Sequence, residues 1–175
     1  LENNESVFSE SGGMAWMSSN MEMQTNTRGG LLKGVGRMFA GESLFLVHYI
    51  SRGKGKITFA SEFPGKIIPL QLKQGEEIIC QKDSFLCAEN SVTLDIHFRK
   101  KIGIGLFGGE GFIMQKAIGP GHVFFEVDGD VTELNLKKGE TLKVDTGHIA
   151  LYEPTVQYDF TTVKGSKSPL SKTPR

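Results

Sequence analysis

The chain repeats itself, and that limits its fold more tightly than any property of single residues. Residues 70–96 lie without a gap on residues 134–160, Leu134 standing 64 positions after Leu70. The matched pairs include Leu72 with Leu136, Lys73 with Lys137, Gly75 with Gly139, Glu76 with Glu140, Glu89 with Glu153, Val92 with Val156 and Asp95 with Asp159. A fixed period of this size means one supersecondary unit used more than once, each copy burying against its neighbour the apolar face it cannot cover alone. With a small shift, Gly34-Val35-Gly36 and Phe39-Ala40-Gly41-Glu42 return as Gly103-Ile104-Gly105 and Phe107-Gly108-Gly109-Glu110. A weaker copy opens the chain, sliding by 135 positions to put Leu1 on Leu136, Glu5 on Glu140, Trp16 on Leu151 and Met21 on Val156. The expected organisation is a first, incomplete unit over 1–30, a second over 31–100, a third over 101–163 and an irregular basic tail over 164–175.

Within a unit the signals are those of short strands. Val92, Leu94, Ile96 and Phe98 alternate with Thr93, Asp95, His97 and Arg99, the period of two that marks a half-buried strand. Asp128-Gly129, between apolar runs at 123–127 and 131–136, reads as a two-residue hairpin turn, and 73–76 with its copy 137–140 as a second kind of turn. Only 31–39 shows helical spacing, and its glycines work against a helix. The prediction is an all-β fold of sandwich or jelly-roll layers. Trp16, Cys87 and Leu151, aligned by the repeat, should share one buried position.

Lys and Arg together number 20, as do Asp and Glu, so the overall charge recommends no polyanionic partner and any basic surface has to be local. The longest apolar run, 44–50, is interrupted by His48 and too short to span a bilayer. No basic segment followed by an apolar stretch opens the sequence. A soluble, cytoplasmic protein is expected. Cys80 and Cys87 stand where the repeat places Val144 and Leu151, and free thiols serve as small core hydrophobes.

Several motifs invite chemistry and fail against the repeat. Gly103-Ile104-Gly105-Leu106-Phe107-Gly108 matches a dinucleotide-binding pattern, but its counterpart at 34–39 breaks it and no strand–helix–strand unit surrounds either copy. His48, His97, His122 and His148 occupy unrelated places in the repeat, whereas a metal needs converging ligands. Glu76 and Glu77 are adjacent, and neighbouring residues of a strand point to opposite faces. Serines are frequent without the G-x-S-x-G elbow of a hydrolase. The sequence therefore calls for no catalytic residue, no metal ligand and no cofactor.

Residues 12–18 (Gly-Gly-Met-Ala-Trp-Met-Ser), residues 37–45 (Arg-Met-Phe-Ala-Gly-Glu-Ser-Leu-Phe), the Gly119-Pro120-Gly121 turn and the Gly-Glu turns together resemble the altered inheritance of mitochondria protein 24 family. The resemblance covers nearly the whole chain. It implies tandem pseudo-repeats of a shortened double-stranded β-helix, similar in fold to the tryptophan RNA-binding attenuation protein, and assembly into oligomers. Bacterial members of the family are largely uncharacterised, its fungal relative is linked to mitochondrial inner-membrane organisation, and no catalytic residue carries over.

One surface feature returns in every unit. Arg28, Lys33 and Arg37 follow the first set of strands, Arg99, Lys100 and Lys101 the second, and Lys164, Lys167 and Lys172 the third. Beside them stand Leu31, Leu32, Val35, Met38 and Phe39, then Ile102, Ile104, Leu106 and Phe107. Cations beside apolar side chains suit an anionic membrane surface, or nucleic-acid phosphates with less apolar weight. Two functions are therefore expected in order. The first is a non-enzymatic homo-oligomeric scaffold joined through open strand edges and apolar loops. The second is a module that binds anionic ligands through Arg28, Lys33, Arg37, Arg99, Lys100 and Lys101, with membrane lipid ahead of RNA because few aromatics stand near the cations, and with no DNA.

Overall fold

The computed structural model describes residues 1–25, 46–100, 111–162 and 169–172. The helical spacing at 31–39 lies outside them. A six-stranded sheet runs in the order β3 (Met21–Thr25), β4 (Leu46–Ser51), β1 (Ser6–Glu10), β8 (Phe85–Glu89), β11 (Gly121–Asp128) and β6 (Gly65–Leu72). A four-stranded sheet runs β13 (Leu151–Tyr152), β7 (Glu77–Gln81), β10 (Phe112–Ile118) and β9 (Thr93–Lys100). Two small sheets complete the set: β2 (Met14–Met17) with β5 (Ile57–Phe59), and β12 (Lys143–Asp145), β15 (Pro169–Lys172) and β14 (Asp159–Thr162). Every ladder among the described residues is antiparallel and no α-helix occurs there, so the chain is all-β as its sequence predicts. The six-stranded sheet takes strands from each of the spans 1–30, 31–100 and 101–163.

The main core lies where the two large sheets meet. Phe8, Phe85, Ala88, Val123 and Phe125 from one sheet cluster with Ile78, Cys80, Leu94 and Ala117 from the other, and each large side chain buried this way stabilises the fold by roughly 1.5–3 kcal/mol. The four-stranded sheet is covered on its other face too, where Ile79, Phe112 and Met114 meet Phe98, Tyr152, Tyr158 and Phe160. Burial on both faces explains the unbroken apolar runs Ile78-Ile79-Cys80 and Phe112-Ile113-Met114, since successive side chains of these strands face different layers and neither faces water.

A polar contact pins the two layers together. Gln115 is fully buried; its amide Nε2 donates to Glu10 Oε1, and its Oε1 accepts from the Cys80 thiol at 3.9 Å. A bulge between Met114 and Gln115 shifts the register of β10 there, and bulges re-aim side chains in this way. Left unpaired, a buried amide would cost about 1–3 kcal/mol.

The spans that match in sequence share local geometry. The Lys73 N–H donates to the Glu76 carboxylate at 2.8 Å and the Lys137 N–H to that of Glu140 at 2.9 Å. Gly75 and Gly139 supply the positive φ of each turn, 76° and 82°, which a residue with a Cβ resists. A three-residue 3-10 turn follows at Lys82–Ser84 and again at Thr146–His148. Upstream the spans differ, because 65–72 is β6 whereas 130–136 forms no strand. The hairpin expected at Asp128-Gly129 is therefore absent. The reason is that β11 already has β6 on one edge and β8 on the other, and the Gly129 N–H turns to the Pro64 carbonyl, 3.0 Å away.

Trp16 also departs from expectation. It is 53% exposed, while Cys87 is buried and Leu151 half-buried. Among the described residues β2 pairs with β5 alone, and Met14 and Met17 take the inward positions over Met21, Val47 and Tyr49. A register shift between Met14 and Trp16 leaves the indole outside. Trp16→Ala should consequently cost less than about 1 kcal/mol and Phe125→Ala about 3–5 kcal/mol. Thermal unfolding followed by far-ultraviolet circular dichroism checks the contrast.

Candidate functional site

Of the six basic residues that the sequence proposes for anion contact, Arg28, Lys33, Arg37 and Lys101 lie outside the described residues. Arg99 and Lys100 close β9, both exposed. The Lys100 ammonium stands 4.2 Å from the centre of the Phe160 ring, a cation–π contact worth roughly 0.5–1 kcal/mol at an exposed site. Phe160 in turn meets Tyr158, Phe112 and Phe98 edge-on, with centroids 4.9, 5.4 and 6.0 Å apart. An aromatic platform thus backs Lys100.

The strand ends show where the basic connections start. Lys100 faces Phe112, so the connection 101–110 opens at that end of the β9–β10 pair. Thr25 faces Val47 and Glu10 faces Leu46, so 26–45 opens beside Glu10. The Glu10–Gln115 hydrogen bond ties the end of β1 to the middle of β10.

The other candidate groups are engaged elsewhere. Glu76 caps its turn, and Glu77 pairs with Lys116 at 3.0 Å. His48 stacks beside Phe8, and His148 belongs to the second 3-10 turn. His97 sits edge-on to Phe98, and burial together with Lys116 pushes it below its ordinary value. His122 is held by Glu89, whose carboxylate accepts from the His122 backbone N–H at 2.9 Å and meets its Nδ1 at 2.9 Å. Among the described residues no group of three His, Cys, Asp or Glu is placed to hold a metal. Cys80 and Cys87 are buried, and burial first, with nearby Glu10 or Glu126 adding to it, pushes both thiols up to about 12. No helix among the described residues is long and apolar enough to cross a membrane.

Sequence reasoning missed one surface. β6 ends the six-stranded sheet with one edge unpaired among the described residues, and Phe63, Ile67, Val131 and Leu134 are exposed at 61, 46, 38 and 59%. Lys66 pairs with Asp130, which holds the start of 130–136 beside β6. The signal was Pro69 inside β6, because a proline has no N–H for a ladder and marks an edge strand.

Fold and site together define a layered antiparallel β-protein in which β6 closes the six-stranded sheet with one edge unpaired among the described residues. The chain belongs to the family described as Mitochondrial biogenesis AIM24, whose model matches residues 1–172. It is 32% identical over 170 residues to an uncharacterised protein of Streptococcus pyogenes serotype M6, covering 91% of this chain and 66% of that protein. It is also similar to the crystal structure of a Streptococcus pyogenes protein, with a TM-score of 0.80 and 25% identity over 99% of this chain and 81% of the other.

The Glu89–His122 clamp has a consequence for acid stability. Burial pushes the Glu89 carboxyl up, but the two contacts from His122 and its charge outweigh that and hold it below the ordinary 4.5. A carboxyl depressed in the folded state adds stability above its unfolded value and loses it as pH falls through the folded one. Glu89→Gln should thus lower the Tm at pH 7, and the gap to the parent should shrink as pH drops below 4.5. Melting curves from pH 7 to about 3 decide it.

Proposed function

We propose that this protein is a non-enzymatic, homo-oligomeric β-scaffold of the cytoplasm, built from tandem pseudo-repeats of one shortened β-helix unit. The open edge of β6 carries the reading. It is eight residues long and among the described residues pairs with β11 alone; exposed Ile67 lies on it and exposed Phe63 just before it. An edge of unpaired N–H and C=O groups recruits another strand unless something blunts it, and Pro69 interrupts it only at one position. The shared turns at 73–76 and 137–140 and the 3-10 turns 64 positions apart support tandem units. Two free, buried cysteines suit a reducing compartment. Among the described residues, Glu76 caps a turn, Glu77 is ion-paired, His48 and His97 meet rings and His122 is held by Glu89.

A second reading is supported by the return of basic residues after each set of strands. Cations from 26–45 and 101–110, with Lys100 on its aromatic backing, would then face one anionic surface, lipid ahead of RNA. Static light scattering should give a multiple of 19.2 kDa for the scaffold; a monomer at about 10 μM and above would sink that reading, since obligate assemblies form well below this. Replacing Lys33, Arg37, Lys100 and Lys101 together by Gln should leave that mass unchanged. If the second reading holds, the parent sediments with anionic vesicles or binds homopolymer RNA at low salt, binding falls steeply as salt rises, and the fourfold variant loses it.

A further inference from the structure

We propose that β12 of one copy pairs antiparallel with β2 of a second copy, Val144 facing Trp16, and so joins copies head to tail. This rests on the scaffold reading and names a contact for it other than the β6 edge. The chain already makes the same junction twice within itself. β1 pairs with β8, Ser9 facing Cys87 and Phe8 facing Ala88, and β7 pairs with β13, Cys80 facing Leu151 and Ile79 facing Tyr152. The repeat puts Ser9, Cys80 and Val144 at equivalent positions, and likewise Trp16, Cys87 and Leu151, at steps of 71 and then 64, the first being 135 less 64. Both junctions therefore have one register. The ladders around them keep it too: Ser9, Cys80 and Val144 face Val47, Gln115 and Ser171, and these face Thr25, Ile96 and Phe160. Trp16 faces Thr58 as Cys87 faces Phe124.

The two ends of the series are left over. β12, β15 and β14 are the counterparts of β1, β4 and β3, and β2 and β5 those of β8 and β11, yet β12 and β2 stand at the ends of separate sheets. Each ends on the side where its counterparts join. β1 carries β8 on the edge away from β4, so the outer edge of β12 is the one away from β15; β8 carries β1 on the edge away from β11, so the outer edge of β2 is the one away from β5. Trp16 is 53% exposed where Cys87 is 6% exposed, and Cys87 differs in having β1 beside it. The chain does not join its own β12 and β2 among the described residues, so the strand that fits each edge is the one a second copy carries, in the register used twice already. Every copy gives one edge and takes one, which makes the contact heterologous and lets it close as a ring where the rotation allows. The cover over Trp16 then exists in the assembly and not in the separate chain.

Disulfide trapping between two kinds of chain tests the junction. Facing residues of an antiparallel pair have Cα atoms about 4.5–5.5 Å apart, within reach of a disulfide. Both positions accept cysteine elsewhere in the chain, since Cys80 and Cys87 occupy them in the second unit, and those native thiols are buried and pushed up to about 12. A Trp16→Cys chain and a Val144→Cys chain, differently tagged and coexpressed, are purified together and treated with oxidised glutathione. The expected product is a covalent heterodimer at twice 19.2 kDa. It should form at least about tenfold faster than from Trp16→Cys with Lys143→Cys, because neighbouring residues of a strand point to opposite faces. No heterodimer, or equal rates, overturns the proposal. So does a disulfide within single chains of the double variant Trp16→Cys/Val144→Cys without the heterodimer, which would mean that each chain closes the sheet on itself. Light scattering on the parent separates this contact from the broader reading: an oligomeric parent without the heterodimer refutes the junction and spares the scaffold, whereas a monomeric parent ends both.

Discussion

A strand has two edges, and in the middle of this molecule all of them are used. β8 lies between β1 and β11, and β11 between β8 and β6, so the longest ladders hold strands far apart in sequence. That saturation sets Phe85, Ala88, Val123 and Phe125 against the four-stranded sheet. It also decides what happens at the periphery, because the chain that leaves β11 at Asp128 finds no free edge on the strand it has just completed. The turn at Gly129 therefore caps β6 through Pro64, and the segment beyond it emerges on the surface.

Much of this was legible in the residues. The class, the turn at each Lys-x-Gly-Glu, the burial of Cys80 and Cys87, and the family follow from patterns that act locally: alternation, turn chemistry and the repeat itself. What failed depended on long-range pairing. The dipeptide Asp128-Gly129 has the chemistry of a hairpin turn, but turn chemistry cannot report that the preceding strand is already flanked on both sides. Trp16 aligns with Leu151 and Cys87, yet alignment carries burial only where the layer above is also duplicated, and over β2 it is not. The open edge of β6 had a local marker in Pro69 that the repeat, which has Glu133 at the matching position, masked.

The candidate site was legible as composition rather than as geometry. Lys and Arg beside apolar residues recur after each set of strands, but their convergence is a matter of which strand ends lie together. Gln115 binds Glu10 across the layers and so ties the end of β1 to the middle of β10. A cluster of rings then stiffens the neighbourhood of Lys100: Tyr158 stacks on Phe112 and Tyr152, and Phe160 closes the group edge-on. Scaffold and anion-surface readings use different parts of the chain, the β6 edge in one case and the basic connections in the other.

The position of Trp16 bears on how the molecule can be watched. It is the sole tryptophan, and its indole already sees water in the folded state. Its emission should be red-shifted from the start and change little when the core melts, so fluorescence would be a poor clock for unfolding. The same placement makes it a sensitive lamp for anything that settles on the β2–β5 ribbon, where a blue shift would signal a newly dry surface.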